Sequence, residues 1–450
     1  MSGRKVVAAA VETATVGGLT HTGEGIVRGG KAVFVAGALP GESVSFRRTR
    51  SHRQHDEAEL VEVLTAAPER VTPRCAHFGV CGGCALQHLA PEAQLQVKHQ
   101  ELRDNLERLG KVTPQTWLEP LRGPVWNYRR RARLGAKFVI KKGKVLVGFR
   151  ERLAPFIADV QHCDVLAPPV GELVLPLAEL IMALNIRERV PQIEVAVADN
   201  AVALVFRVLD PPGSDDLARL RLFAQTHRVR VYLQTGGLDT VRELDESCEP
   251  LCYRLPQFKV ELQFLPTDFI QINGAVNEAL VARAVELLEL TPQSEVLDLF
   301  CGIGNFTLPM ARSAARVTGV EGDAALVARA RHNASHNQLQ NTEFHVADLA
   351  RLPADPHAAA QSVPWLRKGY THVVLDPPRA GASEVLASVA NLKPQRVLYI
   401  SCHPGSLARD LGVLVNEHGF TLEAAGILDM FPHTAHFESL AVLKPGKRKG

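Results

Sequence analysis

Val296-Leu297-Asp298-Leu299-Phe300-Cys301-Gly302-Ile303-Gly304-Asn305 runs from an apolar strand into a glycine-rich turn. The glycines let the backbone approach a ligand closely, and a helix opening after them offers free N–H groups. The third glycine of the dinucleotide fingerprint G-x-G-x-x-G is absent. The next apolar run ends in Gly319-Val320-Glu321. A carboxylate there can accept hydrogen bonds from both ribose hydroxyls of a nucleoside cofactor. Asp348 follows the third strand. Loop, Glu321 and Asp348 together point to S-adenosylmethionine; the plain alternative is a tight turn in an ordinary α/β sheet.

Outward from this stretch the chain alternates helix and strand from about Asn273. The pattern predicts helices over 276–288, 324–337 and 406–418. It predicts strands over 295–299, 316–320, 342–346, 372–375 and 396–400, then a closing pair. Repeated βα units imply a mostly parallel, doubly wound sheet. Two more of these strands end in reactive loops, Asp376-Pro377-Pro378-Arg379 and Ser401-Cys402-His403-Pro404. Ligands of such sheets bind at the carboxyl ends of the strands, so the three loops are expected to share one site.

That site suggests methyl transfer to a pyrimidine carbon. Two prolines after a carboxylate stiffen an exposed turn that can face a flipped base. C5 of uracil is a poor nucleophile. A thiolate adding at C6 creates an enolate that can attack a methyl sulfonium, and sulfur both attacks and leaves well. Cys402 is the expected thiolate, against the alternative of a small buried residue. A base must then take the C5 proton, and Glu438 in Pro432-His433-Thr434-Ala435-His436-Phe437-Glu438 is the candidate.

The front of the chain differs. Residues 1–150 hold 24 Lys and Arg against 13 Asp and Glu; the remainder holds 27 against 35. A basic front joined to an acidic back suits a polyanion held by the front. Residues 11–65 read as five short strands split by Gly17-Gly18, Gly29-Gly30 and Pro40-Gly41, a pattern suited to a small OB-type barrel. Arg47, Arg48, Arg50 and Arg53, with His52 and His55, form a basic segment suited to RNA. Residues 91–110 have helical period and stop at Gly110.

Eight cysteines in a chain without a secretory leader argue against a disulfide framework. Cys75, Cys81 and Cys84 cluster and need a fourth ligand; Cys163 is the natural candidate, with Cys248 and Cys252 as competitors. Spacing alone leaves zinc and an iron–sulfur cluster open. No apolar run reaches the ~18 residues of a membrane span, so a cytoplasmic protein without membrane contact is expected.

Together these residues resemble the bacterial RNA 5-methyluridine methyltransferases, and within them the iron–sulfur branch that modifies 23S rRNA and carries an N-terminal TRAM domain. The matching motifs span the chain: Cys75, Cys81, Cys84 and Cys163; Phe269-Ile270-Gln271-Ile272-Asn273; Asp298 to Gly304; Asp376-Pro377-Pro378-Arg379; Ser401-Cys402-His403-Pro404; and Pro432 to Glu438. The resemblance implies three units: an RNA-binding TRAM barrel of OB type over 1–66, a central α+β domain over 67–265 that carries a [4Fe–4S] cluster and binds RNA, and a Rossmann-like methyltransferase domain over 266–450. It implies Cys402 as nucleophile and Glu438 as base. It places Gln271, Phe300, Asn305, Glu321, Asp348 and Asp376 in the S-adenosylmethionine and uracil pocket. It gives the cluster to the four motif cysteines, in a structural role, and 23S rRNA as the partner of a monomer. The tRNA-modifying relatives lack both TRAM and cluster. A radical methylating or methylthiolating enzyme is a rival, but it needs Cys-x3-Cys-x2-Cys, which this chain lacks. A non-catalytic RNA-binding assembly factor is the other, and intact Asp376, Cys402 and Glu438 argue against it.

Overall fold

The computed structural model describes residues 10–152, 154–245, 249–352, 355, 358, 362–366 and 369–446. The competing ligand Cys248 lies outside the described residues.

Strands β1 (Glu12–Thr15), β2 (Gly25–Val27), β3 (Ala32–Ala36), β4 (Ser43–Ser51) and β5 (His55–Thr65) form one sheet in the order β1-β4-β5-β3-β2. Past β1 the chain reaches the opposite edge: Gly17 N–H donates to the Ile26 carbonyl and Ile26 N–H to that of Gly18, each at 2.8 Å. The sheet therefore curls around a small core that includes Val16, Val33, Val35, Val44 and Phe46.

The middle of the chain contributes β6 (Thr116–Trp117), β7 (Arg131–Val139), β8 (Lys144–Gly148), β9 (Gln192–Val197), β10 (Val202–Arg207), β11 (Arg230–Gln234) and β12 (Arg242–Glu243). All but β6 build a mixed sheet, β12-β11-β10-β9-β7-β8. Leu177 and Ile181 of helix Val174–Ala183, and Leu220 of helix Ser214–His227, share one apolar core with this sheet. A hairpin, β13 (Leu251–Leu255) and β14 (Val260–Phe264), follows.

The last sheet holds β15 (Glu295–Leu299), β16 (Arg316–Glu321), β17 (Thr342–Val346), β18 (His372–Leu375), β19 (Arg396–Ser401), β20 (Phe420–Leu428) and β21 (Glu438–Pro445). Its order is β17-β16-β15-β18-β19-β21-β20-β6, with β15 to β19 mutually parallel and β21 antiparallel to both neighbours. Successive side chains of a strand face opposite ways. Val296, Val374 and Leu398 accordingly enter one core, while Leu297, Val373 and Val397 enter the other. Burial on both faces explains why these strands read as continuous apolar runs. The strand order reverses between β15 and β18, where open α/β sheets bind ligands.

Residues 91–121 pack with this last sheet. Strand β6 lies parallel to β20 at its edge, and Leu118 and Leu121 N–H donate to Ala425 and Ile427. Helix Pro91–Asn105 continues as a wider π turn, Leu106–Gly110. That turn sets Gly110 against helix Pro404–Asn416 so closely that a Cβ would lie 2.5 Å from the Ala408 carbonyl oxygen. Among the described residues, no helix is long and apolar enough to cross a membrane.

Candidate active site

Three elements converge at the carboxyl edge of the parallel strands. Ser401, the last residue of β19, pairs with Ser439 of β21. Cys402 follows Ser401 and Glu438 precedes Ser439, so the end of this ladder brings the two near enough for Glu438 to act on the thiol. Asp376 follows directly on β18, which flanks β19 on its other side. Burial pushes the Cys402 thiol up to about 11, Glu438 and Asp376 push it the same way, and Arg379 opposes them. The Glu438 carboxyl is buried and held well above the usual carboxylate range, first by burial and then by Asp376. Asp376 is pushed up to about 7 by burial and by Glu321.

Asp298, to which the sequence reading gave no role, belongs to the same group. It is fully buried, accepts a 2.5 Å hydrogen bond from Thr307 Oγ1, and is pushed up to about 7 by burial, Asp376 and Glu321. Its place at the head of the glycine motif, inside an otherwise apolar strand, was the signal available. Carboxyl groups gathered this closely resist ionising together. A cation bound among them would relieve that repulsion.

The glycine loop is sharply bent: Phe300, Gly302 and Gly304 have φ of 66°, 54° and 98°. Gly302 N–H donates to Glu321 at 3.1 Å, and Gly322 N–H donates to the other carboxylate oxygen at 2.7 Å. Glu321 is thus fixed against the loop by backbone donors, with acceptor capacity left over. The helix after the loop is Thr307–Ala311. Asn305 exchanges two hydrogen bonds with Asn277, at 2.9 and 3.0 Å, and accepts a third from Tyr253. Asn277, Tyr253 and Gln271 line one small pocket, which brings Gln271 near Asn305. Asp348 stands apart at the surface, capping Leu349–Arg351 and pairing with Arg351 at 3.1 Å.

The loop leading to Glu438 is tied to the front of the chain. Its Asp429 pairs with Lys98 at 2.6 Å, both side chains almost fully buried, and Lys98 also donates to the Phe431 carbonyl. Tyr128 donates to the Pro432 carbonyl. The His433 carbonyl accepts from Ala85 and Leu86 N–H, and the His433 ring stacks on Trp126 at 3.9 Å. Burial pushes His433 down to about 4, so it serves this loop as a neutral ring.

Cys75, Cys81 and Cys84, just upstream of Ala85, line one pocket together with Cys163; all four are free. Burial pushes Cys84 up to about 12, with Cys163, Cys81 and Cys75 adding to the rise. Cys252 is buried elsewhere, beside Glu261 and Asp199. Among the described residues, only His52, His55 and Glu57 bring three metal-ligating atoms within 4.8 Å of one another.

A family model described as tRNA (Uracil-5-)-methyltransferase matches residues 254–445. The chain is 51% identical over 430 residues to the 23S rRNA (uracil(1939)-C(5))-methyltransferase RlmD of Xanthomonas euvesicatoria pv. vesicatoria, covering 95% of each chain. Identity is 50% to the protein of the same name from Stenotrophomonas maltophilia, again over 95% of each. The fold is shared with the Pyrococcus abyssi tRNA (uracil-54, C5)-methyltransferase, solved with S-adenosyl-L-homocysteine. That match has a TM-score of 0.73 at 24% identity, over 96% of this chain and 100% of that one. With half of its residues shared across nearly its whole length, the chain belongs to the 23S rRNA (uracil-C5)-methyltransferase family of enzymes.

Proposed function

We propose that this enzyme methylates C5 of a uridine in 23S rRNA, the one numbered 1939, as the names of its relatives state for them. S-adenosylmethionine supplies the methyl group. The Cys402 thiolate adds to C6, and the C5–C6 electron pair moves toward O4 as an enolate. C5 then takes the methyl group, leaving S-adenosylhomocysteine. Glu438 removes the C5 proton, the C5–C6 double bond re-forms, and the thiolate leaves. The observation that carries this reading is the meeting of Cys402 and Glu438 just past the last pair of the β19–β21 ladder, with Asp376 near enough to act on the same thiol.

The bent Phe300–Gly304 loop and Glu321 would receive the adenosyl part, with Asp348 at its outer edge. Gln271 and Asn305 would line the neighbouring wall, and Asp376 would meet the base. The clustered carboxyls suit a sulfonium cation, because its charge favours their ionised forms. Ionised, Glu438 is a strong base in a desolvated site.

Cys75, Cys81, Cys84 and Cys163, four free thiols lining one pocket, would hold a [4Fe–4S] cluster. No step of the reaction calls for its electrons. Its place is structural, next to the backbone donors that hold the His433 carbonyl. Residues 1–66, 67–265 and 266–450 would be the TRAM-like, central and catalytic units, with 91–121 docked on the last.

The test is mapping of 5-methyluridine by mass spectrometry in rRNA and tRNA from cells lacking the gene, with methyl transfer by the purified chain to a 23S rRNA fragment. Loss at the one rRNA uridine is expected. Loss from tRNA with rRNA unchanged would overturn the substrate and leave the reaction type.

A further inference from the structure

The turn that carries Asp376 and Arg379 is fastened at its far end by two residues outside the reactive loops. Asp410, of helix Pro404–Asn416, is fully buried. One of its carboxylate oxygens accepts from Ala382 N–H at 2.7 Å and from Tyr399 O–H at 2.6 Å. The other accepts from Arg409 Nε and pairs with Arg409 Nη2, each at 2.7 Å. Arg409 Nη2 also donates to the Ala380 carbonyl at 2.8 Å. Within the turn, Gly381 N–H donates to the Pro378 carbonyl at 2.8 Å. Gly381 has a φ of 91°, and a Cβ on it would lie 2.5 Å from both Arg409 Nη2 and the Asp410 carboxylate, so this approach requires glycine.

These bonds join two parts of the site. Ala380 and Ala382 close the turn begun by Asp376. Tyr399 belongs to β19, which runs into Cys402, and Arg409 and Asp410 belong to the helix that follows it. A buried carboxylate is costly unless it is paired and hydrogen-bonded, and this one meets four donors. Three charges act on the Cys402 thiol: Glu438 and Asp376 push it up, and Arg379 opposes them. Held in place, the Arg379 guanidinium favours the thiolate that must attack.

We propose that Arg409 and Asp410 are positioning residues for the reaction: they pin the turn at 376–382 to the strand and helix on either side of Cys402, and so keep the Arg379 guanidinium beside the thiol. The inference rests on the reading of Cys402 as the nucleophile. Asparagine at 410 cannot replace the clamp, because one side of its amide would turn N–H groups toward donors. Lysine at 409 keeps the charge but loses the planar fork that spans Asp410 and Ala380.

The test measures how fast iodoacetamide alkylates Cys402 at pH 8 in the anaerobically purified intact chain, by mass spectrometry of the peptide that holds it. Asp410→Asn and Arg409→Lys should each slow the reaction by about threefold to tenfold, because less of the thiol ionises without Arg379 beside it. A merely structural role has the opposite sign. A loosened site exposes the thiol, and removal of the Asp410 charge favours the thiolate, so both speed alkylation. Arg379→Gln should slow it as well, and Arg409→Lys added to Arg379→Gln should slow it no further. In both clamp variants kcat for methyl transfer to a 23S rRNA fragment should fall about tenfold to a hundredfold, while S-adenosylmethionine affinity stays the same. If Asp410→Asn fails to bind the cofactor, Arg409→Lys decides alone. Unchanged or faster alkylation in the variants that bind cofactor, or losses from Arg379→Gln and Arg409→Lys that add, overturns the clamp. Slower alkylation in the variants, with no methyl transfer to rRNA or tRNA by the intact chain, overturns the functional reading and leaves the clamp standing.

Discussion

Ser401 and Ser439 are the last partners of the β19–β21 ladder, and their neighbours in the chain, Cys402 and Glu438, meet just beyond it. An antiparallel pair holds two groups from distant parts of the chain at a fixed spacing, which is what sequential attack and proton removal need. Separate losses should follow. Cys402→Ala should abolish methyl transfer and any covalent protein–RNA adduct. Glu438→Gln should permit attack and methylation but stall elimination, so that an adduct survives a denaturing gel. A Glu438→Gln protein that turns over normally, or one that forms no adduct while Cys402 still reacts with alkylating agents, would assign the base elsewhere.

The carboxyl cluster makes a statement about stability. Asp376 in the folded chain titrates at about 7, above the ordinary 3.8, because of burial and Glu321. The folded state therefore binds that proton more tightly than the unfolded state does. Stability is lost as pH rises from about 4 to about 7. Asp376→Asn should stabilise the cofactor-free protein at pH 8 by a gain on the order of 1–3 kcal/mol, and by less at pH 5. Denaturant unfolding at the two pH values measures it. An equal gain at both, or a loss at pH 8, would mean that Asp376 ionises as an ordinary aspartate.

Strands β15, β18 and β19 were legible because each is an apolar run cut off by glycine or proline. Cys402 and Asp376 were legible because they stand where such runs stop. Contacts set by pairing across the chain were not. Strand β6 is two residues long and joins β20 from some 300 positions away, with no local period to announce it. The arginines of β4 look like a cationic patch in composition, and only strand register reveals their carboxylate partners. Local pattern specifies burial and turns. Which distant charge lies opposite is decided by register.

The four cysteine thiols line one pocket, and burial, with the other three thiols adding to the rise, pushes Cys84 up to about 12. Metal binding must displace those protons. Protein purified without oxygen should be brown with about four iron atoms per chain. Cys163→Ser should lose the colour and destabilise residues 75–86, and with them the Ala85 and Leu86 donors to the His433 carbonyl. Stoichiometric zinc without iron, in protein from iron-replete cells, would replace the cluster with a different metal.

Lys98 and Asp429 are 331 residues apart in sequence and 2.6 Å apart in space, at 1% and 5% side-chain exposure. Burial lowers the Lys98 pKa, and Asp429 opposes that shift. Removing one partner strands the other as a buried charge, so Lys98→Met should cost about 3–5 kcal/mol. Replacing both, Lys98→Met with Asp429→Leu, should recover most of that loss, because the Phe431 carbonyl keeps its hydrogen bonds from Thr434 Oγ1 and N–H. The loop from Asp429 to Glu438 should then be ordered by fewer contacts, and kcat should fall more than cofactor affinity does. A double-mutant cycle in denaturant, with kcat measured on the folded double variant, checks both halves. Additive losses from the two single changes would mean that the pair is not coupled.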